Sequence, residues 1–270
     1  MRKVLLFLFL ISFISSAHSE LKIKIQKAEI GALPIIISIK GDSEIFSSKN
    51  FSSIIENDLY GSGYFNILDS SKIKTSIKNT NTQYALWTLA GANFLLKASI
   101  YRDEEYEFIK FNLHDVVKKN IMFSYKIRLS KKSSERKIAH TISNLIFEEI
   151  TGIKGVFDTK IAYISTENKE NRKIYKLHVA DIDGFNSVAI YKSSKQLMSP
   201  TWSPKNDKIA YVSFENNRPE IFIQTLATGE RKKLLEGNNS NSAPAWSPDG
   251  KFIAYTSSVK GNLEIFIYSI

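Results

Sequence analysis

After an apolar leader, the first half of the chain shows two spacings of hydrophobic residues. Six stretches alternate apolar with polar side chains or are apolar throughout, which is typical of strands. Three others follow helical spacing or end at glycine, which predicts helices. The predicted strands are Leu21–Gln26, Ile35–Lys40, Tyr64–Leu68, Phe94–Tyr101, Tyr106–His114 and Ile121–Leu129. The predicted helices cover residues 47–60, residues 83–90 and a segment from a cap at Ser133 or Ser134 to Gly152. Together they predict a mixed α/β domain over residues 20–152.

From Phe157 onward the helical spacing disappears and a repeat takes its place. The tripeptide Ile-Ala-Tyr begins at residues 161, 209 and 253, so its copies are 48 and 44 residues apart. The segment Ser199–Pro204 returns 44 residues later as Ala243–Pro248, with Trp-Ser-Pro in both. An apolar pair follows each tripeptide, at Ile174-Tyr175, Ile221-Phe222 and Ile265-Phe266. Short strands that recur at this period are typical of β-propeller blades.

Each repeat divides into four predicted strands. In the last repeat the first strand closes at Trp246-Ser247, and Pro248-Asp249-Gly250 forms a tight turn, because proline sets φ and glycine accepts positive φ. The second and third strands follow as Lys251–Ser257 and Leu263–Ser269. The fourth strand is seen in the preceding repeat as Arg231–Leu235.

The repeats do not add up to a closed ring. The first begins at its second strand, Lys160–Ser165, and the last stops in its third. We therefore predict an incomplete all-β propeller over residues 156–270, with about two and a half four-stranded blades, whereas closing a ring takes at least ~4. An open strand edge invites pairing or aggregation. We expect either a longer natural chain or a partner that completes the fold.

Residues 1–19 have the layout of a secretory signal peptide. Arg2 and Lys3 precede the apolar run Val4–Ile14, and small residues at Ala17 and Ser19 place a cleavage site before Glu20. The apolar run is shorter than the ~20 residues that a membrane span needs. The alternative is an uncleaved anchor. The pattern favours export, with cleavage between Ser19 and Glu20.

Composition narrows the classes of function. The chain has no cysteine, so disulfides, thiol catalysis and cysteine-based zinc sites are excluded. Its net charge of +10 permits nucleic-acid binding as one interpretation. The lysines are scattered, however, and an exported protein rarely meets nucleic acid. A well-solvated, lysine-rich surface is therefore the favoured interpretation.

Several segments resemble the TolB family, periplasmic proteins of the Tol-Pal system. They are Thr151–Phe157 at the domain junction, Asp181–Asn186, Leu197–Pro204 running into Lys208–Glu215, and, in the first domain, Asp58-Leu59, Ser62–Asn66 and Leu68-Asp69. The likeness covers nearly all of the chain after the leader. It implies a six-bladed propeller whose C-terminal strand completes the first blade. The chain departs from the family at Ser240, where the family carries histidine, and at Lys205–Asp207, where Pro-Asp-Gly is usual.

The resemblance also implies partners and the residues that meet them. It implies a periplasmic adaptor that links the inner-membrane protein TolA to the outer-membrane lipoprotein Pal, with a role in outer-membrane invagination at division and in envelope integrity. Carried over by position, loops before two first strands would meet Pal, namely Met198, Ser199, Pro200, Asn241, Ser242, Ala243 and Pro244. Ordinary turn geometry is the alternative for each of them. The TolA-binding segment would comprise Leu21, Lys22, Ile23, Lys24, Ile25 and Gln26, which could equally form an edge strand of its own domain.

No arrangement of residues predicts catalysis or a bound metal. The chain contains no Gly-x-Ser-x-Gly motif that would expose a nucleophilic serine. His114, His140 and His178 lie in predicted strands or helices without metal-ligand spacing, so structural roles are favoured. We therefore predict no cofactor and a non-enzymatic binding protein.

Two other motifs favour structural roles. Asp181, Asp183 and Gly184 suggest a calcium loop, but Ile190 stands where a bidentate glutamate would be needed, so an ordinary turn is favoured. The repeated tryptophans, Trp202 and Trp246, are expected to pack between blades rather than stack on a ligand. The competing function is a propeller fragment of an exported serine peptidase.

Overall fold

The computed structural model describes residues 31–41, 46–69, 84–103, 105–130, 134–170 and 172–270. The predicted strand Leu21–Gln26 and the predicted cleavage site at Ser19 and Glu20 lie outside these ranges. The first domain contains β1 (Leu33–Lys40), α1 (Ser48–Gly61), β2 (Phe65–Leu68), α2 (Tyr84–Leu89), β3 (Phe94–Asp103), β4 (Tyr106–Asp115), β5 (Asn120–Leu129) and α3 (Glu135–Thr151).

The described strands of the first domain form one five-stranded sheet in the order β2-β1-β3-β4-β5. β1 runs parallel to β2 and β3, and β3, β4 and β5 are antiparallel to one another. β1 lies inside the sheet and is buried at Ile35, Ile36 and Ile37, as its continuous apolar run predicts. The main core lies between this sheet and the helices α1 and α3. A smaller cluster around Trp87 of α2 covers part of the opposite face.

The helix ends follow local chemistry. Ser134 caps α3, because its side chain accepts a hydrogen bond from the backbone N–H of Lys137. Gly152 ends α3 in the left-handed conformation, as predicted. The end of α1 differs from the prediction. Gly61 belongs to the helix and Ser62 closes it at φ −64°, so only Gly63 has positive φ.

The second half of the chain forms three antiparallel sheets. They contain β6 (Lys160–Lys169), β7 (Arg172–Asp181) and β8 (Val188–Ser193); β9 (Leu197–Trp202), β10 (Lys208–Ser213), β11 (Glu220–Thr225) and β12 (Arg231–Lys233); and β13 (Asn241–Trp246), β14 (Phe252–Ser257) and β15 (Glu264–Ser269). Among the described residues the sheets therefore have three, four and three strands. The second and third strands of each repeat fall where the repeat pattern places them, whereas the first strands of the second and third sheets begin earlier than predicted. The total of six blades and the incomplete ring stay predictions.

Apolar clusters join neighbouring sheets. Leu177 of the first sheet packs with Leu197, Tyr211 and the half-buried Trp202 of the second. Residues of the second sheet pack in the same way with Ile253 and Trp246 of the third. The two tryptophans therefore contribute to packing between sheets, as their position in the repeat predicts.

The junction between the two halves is tightly packed. A Cβ atom on Gly155 would lie 2.7 Å from the Cα atom of Asn144 in α3. The Asn144 side chain accepts a hydrogen bond from the backbone N–H of Phe157 at 2.8 Å and donates one to Asp158 at 2.9 Å. The connecting segment is thus held against α3. No described helix has the length and apolar character needed to cross a membrane.

Candidate functional site

The residues predicted to meet a partner lie in strands rather than in the loops where the sequence places them. Met198, Ser199 and Pro200 belong to β9, and residues 241–244 belong to β13. Both strands contain a bulge at the same repeat position, where Ser199 and Ala243 each have φ 52°. A bulge adds a residue and bends the strand. The resemblance implies loops at these positions, whereas β9 and β13 extend through the bulges and begin at residues 197 and 241.

The bulges divide the predicted residues into exposed and buried positions. Met198 is 38% exposed, and Ser199 and Ala243 are also exposed. Asn241 and Pro244 are buried instead. The backbone N–H of Asn241 donates to the carbonyl of Pro219 at 2.8 Å, so this residue joins β13 to the second sheet. Three side chains, at 198, 199 and 243, therefore offer the most accessible surface.

The antiparallel order of the strands places these residues at one end of the sheets. β9 and β11 begin, and β10 ends, at this end, which we call the distal end and which includes residues 194–199, 214–219 and 235–243. The carbonyl of residue 196 accepts a hydrogen bond from the backbone N–H of Phe214, which extends the pairing of β9 with β10 into the distal end. The opposite, proximal end carries the turns at residues 182–187, 203–207 and 226–230.

A buried carboxylate organises the distal end beside β13. Glu220 is fully buried and accepts hydrogen bonds from Arg218, Lys233 and Asn216 at 3.0, 2.9 and 2.6 Å. Burial raises the pKa of its carboxyl, but the hydrogen bonds and the charge of Lys233 outweigh that effect, so the pKa is lowered. Arg218 also donates to Asn238 at 3.0 Å, which ties together two distal connections. Sequence reasoning missed this cluster, since its members follow no motif.

At the proximal end, Arg136 of α3 binds the turn between β7 and β8. Its guanidinium forms an ion pair with Asp183, lies 3.7 Å from the Asp181 carboxylate, and stacks on the Phe185 ring at 4.1 Å. Burial raises the pKa of the Asp183 carboxyl, but the hydrogen bond and charge of Arg136 outweigh that effect, so the pKa is lowered. The first domain therefore contacts the proximal end, and Met198, Ser199 and Ala243 face away from it.

The turn predicted as an alternative calcium loop is occupied by protein partners. Asp181 receives hydrogen bonds from Lys160 at 2.7 Å and from Asn186 at 2.8 Å. Asp183 receives one from the backbone N–H of Phe185 at 3.1 Å. Because protein donors occupy these carboxylates, the geometry is that of an interdomain turn, which agrees with the favoured interpretation.

Three side chains at the domain junction come close enough to share a metal ion. Ligand atoms of Asp58, His140 and Asp183 all lie within 4.8 Å of one another. His140 Nδ1, however, lies 2.8 Å from the Asp58 carboxylate, and Asp183 is bound to the cationic Arg136. Each carboxylate thus already has a donor, and a neighbouring guanidinium repels a cation. The arrangement fits a hydrogen-bonded link between domains better than a metal centre.

Beside this link lies a cavity of about 380 Å³. Its lining includes the apolar side chains of Phe147, Val156, Phe157 and Ile182 and the carboxylates of Asp58 and Asp183. Cavities at domain interfaces are common ligand sites. Both carboxylates already pair with Arg136 or His140, so the cavity offers mainly apolar surface.

The other two described histidines have local partners. His114 is buried and lies 3.0 Å from the hydroxyl of Tyr84, and desolvation together with the charge of Lys97 lowers its pKa. His178 lies 2.9 Å from Ser165 Oγ and 3.2 Å from Ser187 Oγ. A serine–histidine–acid triad needs a serine on one ring nitrogen of the histidine and a carboxylate on the other. Among the described residues, both ring nitrogens of His178 instead have a serine hydroxyl as their partner.

Comparison with known proteins identifies both halves of the chain. A family model described as the TolB amino-terminal domain matches residues 21–122, and one described as the TolB beta propeller domain matches residues 147–270. The Tol-Pal system protein TolB of Hydrogenovibrio crunogenus is 36% identical over 87% of this chain and 55% of its own length. That of Coxiella burnetii is 36% identical over 89% of this chain and 56% of its own.

A solved structure agrees with these matches. The crystal structure of TolB from Acinetobacter baumannii superimposes with a TM-score of 0.76 and 32% identity, over 88% of this chain and 58% of that one. The chain thus spans a little more than half the length of the relatives it matches. Their names refer to the Tol-Pal system and to no enzymatic activity.

Proposed function

The chain belongs to the TolB family of the Tol-Pal system, and from this premise we propose that it is a non-enzymatic periplasmic adaptor between TolA and Pal. In this role it would couple an inner-membrane arm to an outer-membrane lipoprotein. That coupling would serve outer-membrane invagination at cell division and the integrity of the envelope.

One observation above all supports the proposed Pal-binding role. Met198, Ser199 and Ala243 are exposed at the distal end, on the side of the sheets away from the first domain. Ser199 and Ala243 have left-handed φ within the bulges, and the strands around them pair with β10 and β14. A partner docking there would meet a preformed surface and would lose little conformational entropy on the protein side.

Binding to the purified, lipid-free domain of Pal tests this role. We expect Met198→Asp combined with Ala243→Asp to weaken binding, because the changes place charges at two exposed, uncharged positions. Ala227→Asp is the matched control, since Ala227 is exposed on a proximal turn. Unchanged affinity in the double variant, or no binding of Pal by a chain extended to the full length of the relatives, would contradict the proposal.

The TolA-binding role of Leu21–Gln26 needs a separate test. A synthetic peptide of this segment should bind the periplasmic domain of TolA by β-augmentation, and a chain beginning at Lys27 should lose that binding. N-terminal sequencing of the exported chain tests the proposed location. We expect it to begin at Glu20. A chain retained in the cytoplasm would overturn periplasmic placement without affecting either binding test.

A further inference from the structure

β5 is an edge strand of the first domain. In the described part of the chain it pairs only with β4, so one row of its backbone groups faces away from the sheet. It is ten residues long and contains no proline, glycine or acidic residue. Edge strands are normally short, covered or interrupted, because a long exposed edge offers a template for another strand.

One face of this edge is cationic. Lys110 of β4 stands directly opposite Lys126 of β5, so their side chains share a face, and like charges in this arrangement destabilise a sheet. Lys126 Nζ lies 3.8 Å from the centre of the Phe108 ring. Its contact with a carboxylate, Asp103 at 3.7 Å, joins two half-exposed groups and compensates little.

Arg128 lies two residues beyond Lys126 on β5, so it is on the same cationic face. Its guanidinium lies 3.4 Å from the centre of the Tyr106 ring. Stacking on the rings restricts both cationic side chains, so a ligand that pairs with them has less conformational entropy to overcome. Alternate residues on a strand are about 6.6–6.8 Å apart, which is also the spacing of side chains on any strand added beside them.

The other face of the same edge is aromatic. Tyr125 is 47% exposed, and its ring packs against Phe111 and Phe123 with centroids 5.7 and 5.3 Å apart. Phe123 in turn packs edge-on against Phe111. These rings continue the core of the first domain to its rim. Apolar side chains of an added strand would extend that core.

We propose that β5 binds an extended protein segment in which acidic and apolar side chains alternate. The acidic side chains would pair with Lys126 and Arg128 and relieve the repulsion between Lys110 and Lys126. The apolar side chains would pack on Tyr125 and Phe123. Main-chain hydrogen bonds along β5 would supply the remaining affinity. This surface is separate from the distal end and does not depend on the adaptor role.

Charge and backbone pairing favour the acidic segment over two other possible partners of β5, a second copy of this chain and an anionic membrane. A second copy related by a two-fold axis perpendicular to the sheet would add its own Lys126 and Arg128 to an already cationic face. An anionic membrane would satisfy the cations but would offer no main-chain partners to the backbone row of β5 that has none among the described strands. An acidic, alternating strand satisfies the charges, the rings and the backbone together.

Fluorescence anisotropy with labelled synthetic peptides tests the inference on the full chain. The first probe alternates glutamate and valine, and the second has the same composition with its glutamates and valines in separate blocks. We expect the alternating probe to bind roughly tenfold more tightly. Hydrogen exchange at residues 120–129 should slow when the alternating probe is added. Equal binding of the two probes, or no added protection in β5, would overturn the proposal.

Charge reversal gives the second arm of the test. Lys126→Glu with Arg128→Glu should weaken binding of the alternating probe by about tenfold or more. Lys118→Glu with Lys119→Glu changes the net charge equally at the β4–β5 turn, away from this face, and should leave binding near that of the original chain. If the first variant does not fold, a lysine–valine probe on the original chain replaces it and should not bind. Binding to vesicles of anionic phospholipid without binding of the alternating probe would identify the surface as a membrane site instead.

Discussion

At the scale of single residues, asparagine takes the place of glycine at two turns of the repeat. Asn206 has φ 57° and Asn217 has φ 60°, and the residues 44 positions later are Gly250 and Gly261, which also have positive φ. The turn hydrogen bonds are also equivalent, since both Asn206 and Gly250 donate to a serine carbonyl at 2.9 Å. Asparagine tolerates the left-handed region better than most residues. The departure from Pro-Asp-Gly at Lys205–Asp207 therefore leaves the turn intact.

Gly155 provides a residue-scale prediction at the domain junction. Gly155→Ala should lower the free energy of unfolding by roughly 1–3 kcal/mol, because the added methyl group would overlap the Asn144 backbone. Gly61→Ala is the matched control. Gly61 is helical, and a Cβ atom added there would meet no other atom within 4 Å. Gly61→Ala should therefore stabilise the folded state slightly. Urea denaturation measures both, and equal effects of the two substitutions would contradict the packing at the junction.

Glu220 provides a prediction with a defined pH dependence. Its pKa is lowered in the folded state, so its ionised form stabilises the fold above the ordinary glutamate pKa of ~4.3. That contribution is lost as the pH falls through the folded value. Glu220→Gln should therefore cost roughly 1–3 kcal/mol near neutral pH, and the cost should shrink in acid.

Denaturation curves across the acid range check the behaviour of Glu220. Exposed Glu230→Gln serves as the control and should have little effect at any pH. A stability difference between the original chain and Glu220→Gln that stays constant from neutral to acid pH would show that the lowered pKa does not contribute.

At the scale of elements, capping separates two helices whose start signals look alike in the sequence. A serine precedes both α1 and α3, but only the Ser134 side chain accepts a hydrogen bond from its own helix. Ser134→Ala should therefore destabilise the first domain by about 1 kcal/mol, and Ser47→Ala should cost much less. Thermal unfolding followed by circular dichroism compares them. A larger loss for Ser47→Ala would contradict the assigned caps.

The elements that sequence patterns predicted well are those with long, regular periodicity. β3, β4, β5 and α3 were predicted to within a few residues, since each buries one face against the same core. The first strands of the repeats were predicted less well. The resemblance implies loops at Pro200 and Pro244, whereas a bulge accommodates both prolines inside β9 and β13.

At the scale of the whole molecule, Arg136 links the first domain to the turn between β7 and β8. Arg136→Gln should increase the rate of limited proteolysis at residues 151–158, because the ion pairs with Asp181 and Asp183 and the stacking on Phe185 are lost. Exposed Lys137→Gln on the next position of α3 is the control. Faster cleavage in both variants, or in neither, would contradict the role of Arg136.

The sequence by itself determined most element types, the repeat and the family, because these depend on local periodicity and on motifs within short segments. Only the tertiary structure decided which residues meet across long separations. It brought Arg136 to Asp183 and His140 to Asp58, buried Glu220 among cations, and left one edge of β5 without a described partner strand. Such contacts depend on which surfaces of the elements pack against one another. Residues far apart in the sequence can lie on those surfaces, so sequence spacing does not reveal the contacts.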